Sequence, residues 1–88
     1  MKNSYPVIFT KTEQEILVEV PDFEILTQGT NVSDAIEMAR DAIVLKGITL
    51  KNENLPIPEP SDMENISLHN STFTENGKTF LSFVDVNF

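Results

Sequence analysis

One segment constrains the fold more than any other in this 88-residue chain: the pattern over 32–46 predicts a single amphipathic helix. Asn31 is a residue type that caps helix N-termini, and Asp34 three positions later completes a pair of the capping-box kind. An apolar stripe follows at helical spacing, with the members Val32, Ala35, Ile36, Ala39, Ala42 and Ile43. Gly47 is expected to end the helix. Because the alanines are small, the helix can lie close against a sheet.

Three short β segments precede this helix. They are rich in β-branched and aromatic residues and cover 5–10, 15–20 and 23–28. In the second, Ile16, Val18 and Val20 fall on one face and Leu17 and Glu19 on the other, which suits an antiparallel strand with one buried face. After the helix, three prolines at alternate positions in 55–62 predict an extended strap whose Leu55 and Ile57 pack on the domain.

The last part of the chain predicts a hairpin. Asn76 and Gly77 are residue types that readily adopt positive φ at both positions of a tight turn. The short arm before them covers 72–74, and the longer arm, 79–86, is expected to rejoin the sheet as a core strand. The predicted fold class is α+β, with the order βββα, an extended strap and a terminal hairpin. We expect residues 1–88 to form one domain.

Composition excludes several function classes. Fourteen acidic residues against six basic ones give a net charge of −8, which argues against direct binding to nucleic acid or to anionic membranes. The chain has no cysteine and only one histidine, His69, so thiolate zinc sites and cysteine nucleophiles are excluded. No apolar run approaches the roughly 20 residues of a membrane span, and no signal-peptide core follows Met1. A cytoplasmic protein is expected.

The most suggestive surface feature is a run of carboxylates without an intervening cation. Its members are Glu13, Glu15, Glu19, Asp22 and Glu24. The run indicates either a solvated face or the docking face for a cationic partner. A two-metal nuclease site would need several converging carboxylates, and Asp22 and Asp85 alone do not supply them. Asp22, beside a proline, is interpreted as a turn residue that caps local amides. We predict no catalytic residue, no metal site and no cofactor.

Several motifs, taken together and in order, resemble the HicB-like antitoxins. They are Tyr5-Pro6-Val7-Ile8-Phe9, Val20-Pro21-Asp22, Thr27-Gln28-Gly29, the helix Asp34-Ala35-Ile36-Glu37-Met38-Ala39-Arg40-Asp41-Ala42, and Pro56-Ile57-Pro58-Glu59-Pro60-Ser61. The resemblance spans roughly 5–62, and the combination is more specific than any one motif. The closing segment, 83–86, is similar to the last strand of that family.

The resemblance implies a partial ribonuclease H-like βββαβ sheet with one packed helix. It also implies a function: the antitoxin half of a toxin–antitoxin pair. The implied partner is a HicA-like toxin, a small basic ribonuclease with a double-stranded-RNA-binding fold, whose catalytic histidine the antitoxin masks. The five carboxylates between 13 and 24 are then the expected toxin-binding residues, since an acidic surface steers a basic partner.

Two departures from the family pattern limit what is carried over. Glu24-Ile25 stands where the family often has Pro-Gly, so the turn into the third strand is expected to be less sharp. Many relatives carry a C-terminal DNA-binding module, and no such pattern occurs before Phe88, so an autorepressor role is not expected. The alternatives are an orphan interaction or assembly domain without a toxin and a nucleic-acid-binding protein. A homodimer through strand edges or the apolar tail is also predicted.

Overall fold

Four antiparallel strands and one long helix make up the fold in a computed structural model that describes residues 2–62 and 78–88. The elements are β1 (Lys2–Lys11), β2 (Ile16–Val20), β3 (Ile25–Gly29), α1 (Val32–Asn52) and β4 (Lys78–Asn87). The strands lie in the order β3-β2-β1-β4, and each neighbouring pair is antiparallel. The predicted α+β class is confirmed. The first arm of the predicted hairpin and its turn at Asn76 and Gly77 lie outside the described residues, whereas the predicted second arm joins the sheet as β4.

The core lies between α1 and one face of the sheet. Alternation along each strand puts every second residue on this face, and the register sets Phe9 of β1 opposite both Val18 of β2 and Phe80 of β4. The Phe9 and Phe80 rings stack with centroids 5.2 Å apart. From the helix, the buried residues are Ala35, Ala39, Ile43 and Gly47. These side chains are small apart from Ile43, so α1 lies close to the strands, as the alanines of the predicted stripe indicated. Val32, the first member of that stripe, is 46% exposed, so its predicted place on the inner face is wrong.

The N-terminus of α1 begins as the sequence predicts. The Asn31 side chain accepts a hydrogen bond from the backbone N–H of Asp34 at 2.8 Å. The carboxylate of Asp34 bonds one residue further back than a capping box requires, because it accepts from the backbone N–H of Thr30 at 2.9 Å and from the Thr30 hydroxyl at 3.2 Å. The Asn31 cap satisfies an amide that the first turn of a helix leaves unpaired, and the Asp34 carboxylate fixes the residue that leads into it.

The predicted helix end at Gly47 is wrong. The helix continues to Asn52, and Gly47 is a buried position on its inner side. The aromatic ring of Phe88 packs over Gly47 so closely that a Cβ atom there would overlap the ring. Asn54, with φ of 58°, supplies the left-handed residue that follows the last turn. Gly47 therefore allows the Phe88 ring to pack directly against the helix backbone and does not end the helix.

The third strand begins two residues later than predicted. Pro21–Phe23 form a single 3-10 turn, and Glu24 follows it with φ of 55°. Phe23 is buried in the core cluster and does not lie in the strand. A proline and a left-handed residue bracket this turn, so the ladder resumes only at Ile25.

Candidate functional site

The strap, residues 55–62, is fastened to the domain at two points. The hydroxyl of Tyr5 donates a hydrogen bond to the carbonyl oxygen of Pro58 at 2.7 Å. The carboxylate of Asp22 accepts one from the backbone N–H of Ser61 at 2.9 Å and a second from the Ser61 hydroxyl. Ile57, just before the first of these points, packs against the core. Leu55 is 49% exposed, so its predicted packing is wrong.

Asp22 therefore has a different role from the one its position suggested. The sequence predicts a cap for local amides, yet the hydrogen-bond partner of Asp22 is Ser61, far along the chain. A carboxylate that accepts two hydrogen bonds from one residue is a firm anchor, since bonds to charged groups are stronger than neutral ones. Asp22 fixes the strap beside the 3-10 turn.

Tyr5 sits in a small aromatic cluster beneath the strap. Its ring meets that of Phe23 edge-on at 4.8 Å and that of Phe88 at 6.3 Å. Burial raises the pKa of the Tyr5 phenol above its usual 10.0, and the nearby carboxylates of Glu59 and Asp22 raise it further, while a hydrogen bond from Asn3 opposes them. The phenol therefore stays neutral and donates to the strap.

The first prediction concerns this hydroxyl. Tyr5→Phe should lower the free energy of unfolding by about 1 kcal/mol at neutral pH, because the bond to Pro58 is lost while the ring contacts remain. In the wild type, the Tyr5 hydroxyl ionises at a lower pH in the unfolded chain than in the folded one. The free energy of unfolding of the wild type therefore falls as pH rises through 10.0 and upwards. The difference in the free energy of unfolding between the wild type and Tyr5→Phe should therefore become smaller in that pH range. Urea unfolding across that pH range tests this, and a constant difference would contradict it.

The acidic run of the sequence is divided by β2, since Glu13 and Glu15 precede this strand and Glu24 follows it. The structure separates its members. Glu13 and Glu15 lie at the turn between β1 and β2, while Glu19 and Glu24 lie towards the opposite end of β2.

A groove of about 300 Å³ at the junction of β2 and β3 brings two of these carboxylates together. Its lining consists of Glu19, Pro21, Glu24, Ile25 and Leu26. Leu26 is 56% exposed and adds apolar surface beside the two carboxylates. An apolar floor beside carboxylates suits the alkyl stem and charged head of a lysine or arginine from another protein.

A second groove, of about 280 Å³, lies between the β1–β2 turn and the start of α1. Glu13, Glu15 and Thr12 line it together with Lys11 and Asn31. The turn is held by Thr12, whose hydroxyl donates to the carbonyl oxygen of Glu15 at 2.9 Å and accepts from the N–H of Glu15 at 3.1 Å. Because Lys11 shares this groove, its charge is less uniformly negative than that of the groove beside Leu26.

Asp85, the other carboxylate weighed for a metal site, makes contacts with β1 and α1. Asp85 accepts a hydrogen bond from the Ser4 hydroxyl, and its backbone oxygen accepts one from Arg40 at 2.9 Å. Over 2–62 and 78–88, no three acidic or histidine side chains converge as a metal site would require. Within the same ranges, no helix has the length and hydropathy of a membrane span. His69 lies outside the described residues.

Comparisons with solved structures find similar chains in toxin–antitoxin complexes. A chain of the "Toxin-Antitoxin complex from Streptococcus pneumoniae" is 28% identical, with a TM-score of 0.82 over 99% of this chain and 70% of that one. A chain of the "HicA3 and HicB3 toxin-antitoxin complex" is 25% identical, with a TM-score of 0.74 over 98% of this chain and 100% of that one. No family model and no curated protein matches the sequence. The two structures confirm the predicted resemblance to HicB-like antitoxins.

Proposed function

We propose that this HicB-like chain is an antitoxin that binds and inhibits a small basic ribonuclease toxin of the HicA type. The observation that carries the proposal is the likeness, over nearly the whole chain, to chains of two toxin–antitoxin complexes. Inhibition works by protein–protein contact, and the chain contributes no catalytic group of its own. Such an inhibitor needs only a stable surface that covers the toxin's active site.

The charge of the chain supports a basic partner. A net charge of −8 on 9.9 kDa produces a field that accelerates encounter with a cationic protein. We propose Glu13, Glu15, Glu19 and Glu24 as the residues that guide and contact the toxin. The groove beside Leu26 combines carboxylates with an exposed apolar side chain, which is the composition of an interface anchor with a polar rim. Asp22 acts indirectly, by holding the strap beside the turn that leads into that groove.

Capture from the native host tests the proposal. The tagged chain is purified from cells under mild conditions, and the bound polypeptides are identified by mass spectrometry. Recovery of one small basic protein in a fixed ratio is the expected result. Recovery of the chain with itself alone would contradict the antitoxin function and favour the orphan assembly domain.

A second prediction concerns the carboxylates. The triple variant Glu13→Lys, Glu15→Lys and Glu24→Lys should slow association with the captured toxin on the order of tenfold, because charges near a docking face mainly set the on-rate. Dissociation and thermal stability should change little, since exposed charges contribute little to folding. Surface plasmon resonance at two salt concentrations measures the rates. The on-rate of the wild type should fall with salt.

A charge-matched control separates local steering from net charge. The triple variant Glu53→Lys, Glu59→Lys and Asp62→Lys changes the net charge by the same amount at the end of α1 and on the strap. It should slow association less than the first triple variant. Equal slowing by both would show that only the total charge matters. An on-rate that neither variant changes would identify the run as a solvated face.

A further inference from the structure

Several large apolar side chains are exposed on the side of α1 that faces away from the sheet. Leu45 is 67% exposed, Ile48 49% and Met38 39%, and Leu55 just beyond the helix is 49% exposed. Within the helix, Met38, Leu45 and Ile48 recur with Asp41 and Asn52 at alternating steps of three and four, and Leu55 follows the helix end after the left-handed Asn54. We call these five helical positions and Leu55 the outer seam. Such spacing is the a/d pattern by which two helices pack against each other.

The outer seam lies on a different side of α1 from the residues that pack in the core. The core-facing side of α1 is filled by Ala35, Ala39, Ile43 and Gly47, which are buried against the strands and Phe88. Those positions lie on a different side of the helix, since Ile43 takes the position f in a heptad that begins at Met38. The helix therefore has two apolar faces, and only one of them is covered within the described part of the chain.

The distribution of charge selects the occupant of the outer seam. Within Val32–Asn52, three acidic residues are balanced by Arg40, Lys46 and Lys51, so α1 carries no net charge. The remaining eleven acidic residues stand against three lysines, so the whole net charge of −8 lies outside the helix. A cationic partner is drawn to that remainder. Two copies of an acidic chain repel each other least where their surfaces are neutral, which favours a second copy here.

The order of charges along the helix also fits self-association. In the first half of α1, Arg40 pairs with Glu37, so Asp34 and Asp41 leave this half net negative, whereas Lys46 and Lys51 make the second half net positive. When two such helices run antiparallel about a two-fold axis, the acidic half of each faces the basic half of the other. The helix dipoles then oppose each other, which is favourable as well.

We propose that the outer seam binds a second copy of this chain as an antiparallel helix pair. In the a-against-d register, Leu45 of one copy packs on Ile48 of the other. Met38 packs on Leu55, whose backbone N–H bonds to the carbonyl oxygen of Leu50 at 2.9 Å and so stays at the helix end. Asp41 faces Asn52, beside Lys51, and forms one polar layer that fixes the register.

Sedimentation velocity on the purified chain tests the proposal. The wild type should pass from a 9.9 kDa monomer to a particle of twice that mass as its concentration rises to about 500 µM. Leu45→Lys should raise the dimer dissociation constant at least tenfold without changing the stability of the monomer, because the side chain is exposed. Leu26→Lys replaces another exposed leucine, on β3, and should leave the dimer unchanged. A wild type that remains monomeric throughout overturns the proposal.

A charge exchange tests the register. Asp41→Lys and Lys51→Asp should each weaken the dimer, and the double variant should recover most of the loss. A dimer that Leu45→Lys leaves intact would overturn the proposal and favour the strand edges or the apolar tail as the contact. Leu45→Lys should retain any captured basic partner. If it releases that partner instead, the outer seam belongs to the partner, and the proposal is likewise overturned.

Discussion

Gly29→Ala should destabilise the domain by about 3 kcal/mol, near the upper end for overpacking a well-packed site. A Cβ atom at Gly29 would lie 2.5 Å from both the Cα and the backbone N of Ala35, in the first turn of α1. Backbone atoms of a capped helix cannot yield as a side chain does, so the whole helix N-terminus would have to move off β3. Urea unfolding monitored by circular dichroism measures the loss. A variant as stable as the wild type would contradict this packing of α1 on β3.

Gly47→Ala is the matched control for this substitution. Its Cβ would meet the Phe88 ring, which is a side chain and not backbone. Alanine in a helix interior gains about 1 kcal/mol over glycine, and that gain offsets part of the cost of moving the ring. We therefore expect a change of less than about 1 kcal/mol. Equal losses at the two glycines would show that the distinction between backbone and side-chain neighbours is wrong.

Asp22→Ala should release the strap. The substitution removes both acceptors of Ser61, and each hydrogen bond to a carboxylate contributes about 1.5 kcal/mol, so a loss of roughly 2–3 kcal/mol is expected. Hydrogen exchange at the Ser61 amide should accelerate more than exchange at amides in β1. Limited proteolysis within 55–62 should become faster as well.

Asp22→Asn and Glu24→Gln separate the hydrogen bonds from the charge. Both remove one carboxylate from the same turn, but it is Asp22 that accepts the hydrogen bonds from Ser61. The Asp22→Asn side chain keeps one acceptor and turns an amide NH₂ towards Ser61, so this variant should lose about half of the stability that the alanine variant loses. Glu24→Gln should be nearly neutral. If the two variants are equally destabilised, charge and not the anchor explains the effect.

The elements with local signals were predictable from the sequence. Asn31 carries its capping role in its own side chain, and the alanine stripe of α1 identifies the inner face without knowledge of the sheet. The α+β class followed from short alternating segments before a single helix. The resemblance to HicB-like antitoxins added the role that composition alone left open.

The predictions that were wrong concern residues whose roles depend on contacts with residues distant in the sequence. Gly47 carries the local signature of a helix stop, but the ring of Phe88 gives it a different purpose. Asp22 next to a proline has the composition of a local turn, and nothing nearby in the chain points to Ser61. The acidic run could be found by composition, and the bounds of β2 divide it between the two ends of that strand. The groove beside Leu26 lies entirely within 19–26, and its shape depends on the 3-10 turn that sets β3 beside β2.

Inhibition of RNA cleavage tests the central claim most directly. The small basic protein captured with the chain is separated from it, and its cleavage of a labelled RNA is followed while the purified chain is added back. An unrelated acidic protein of similar net charge is the control for non-specific binding. We predict that cleavage falls to background near equimolar addition and that the control has no effect. Cleavage that continues with the chain bound, or a captured partner that cleaves no RNA, would contradict the antitoxin function.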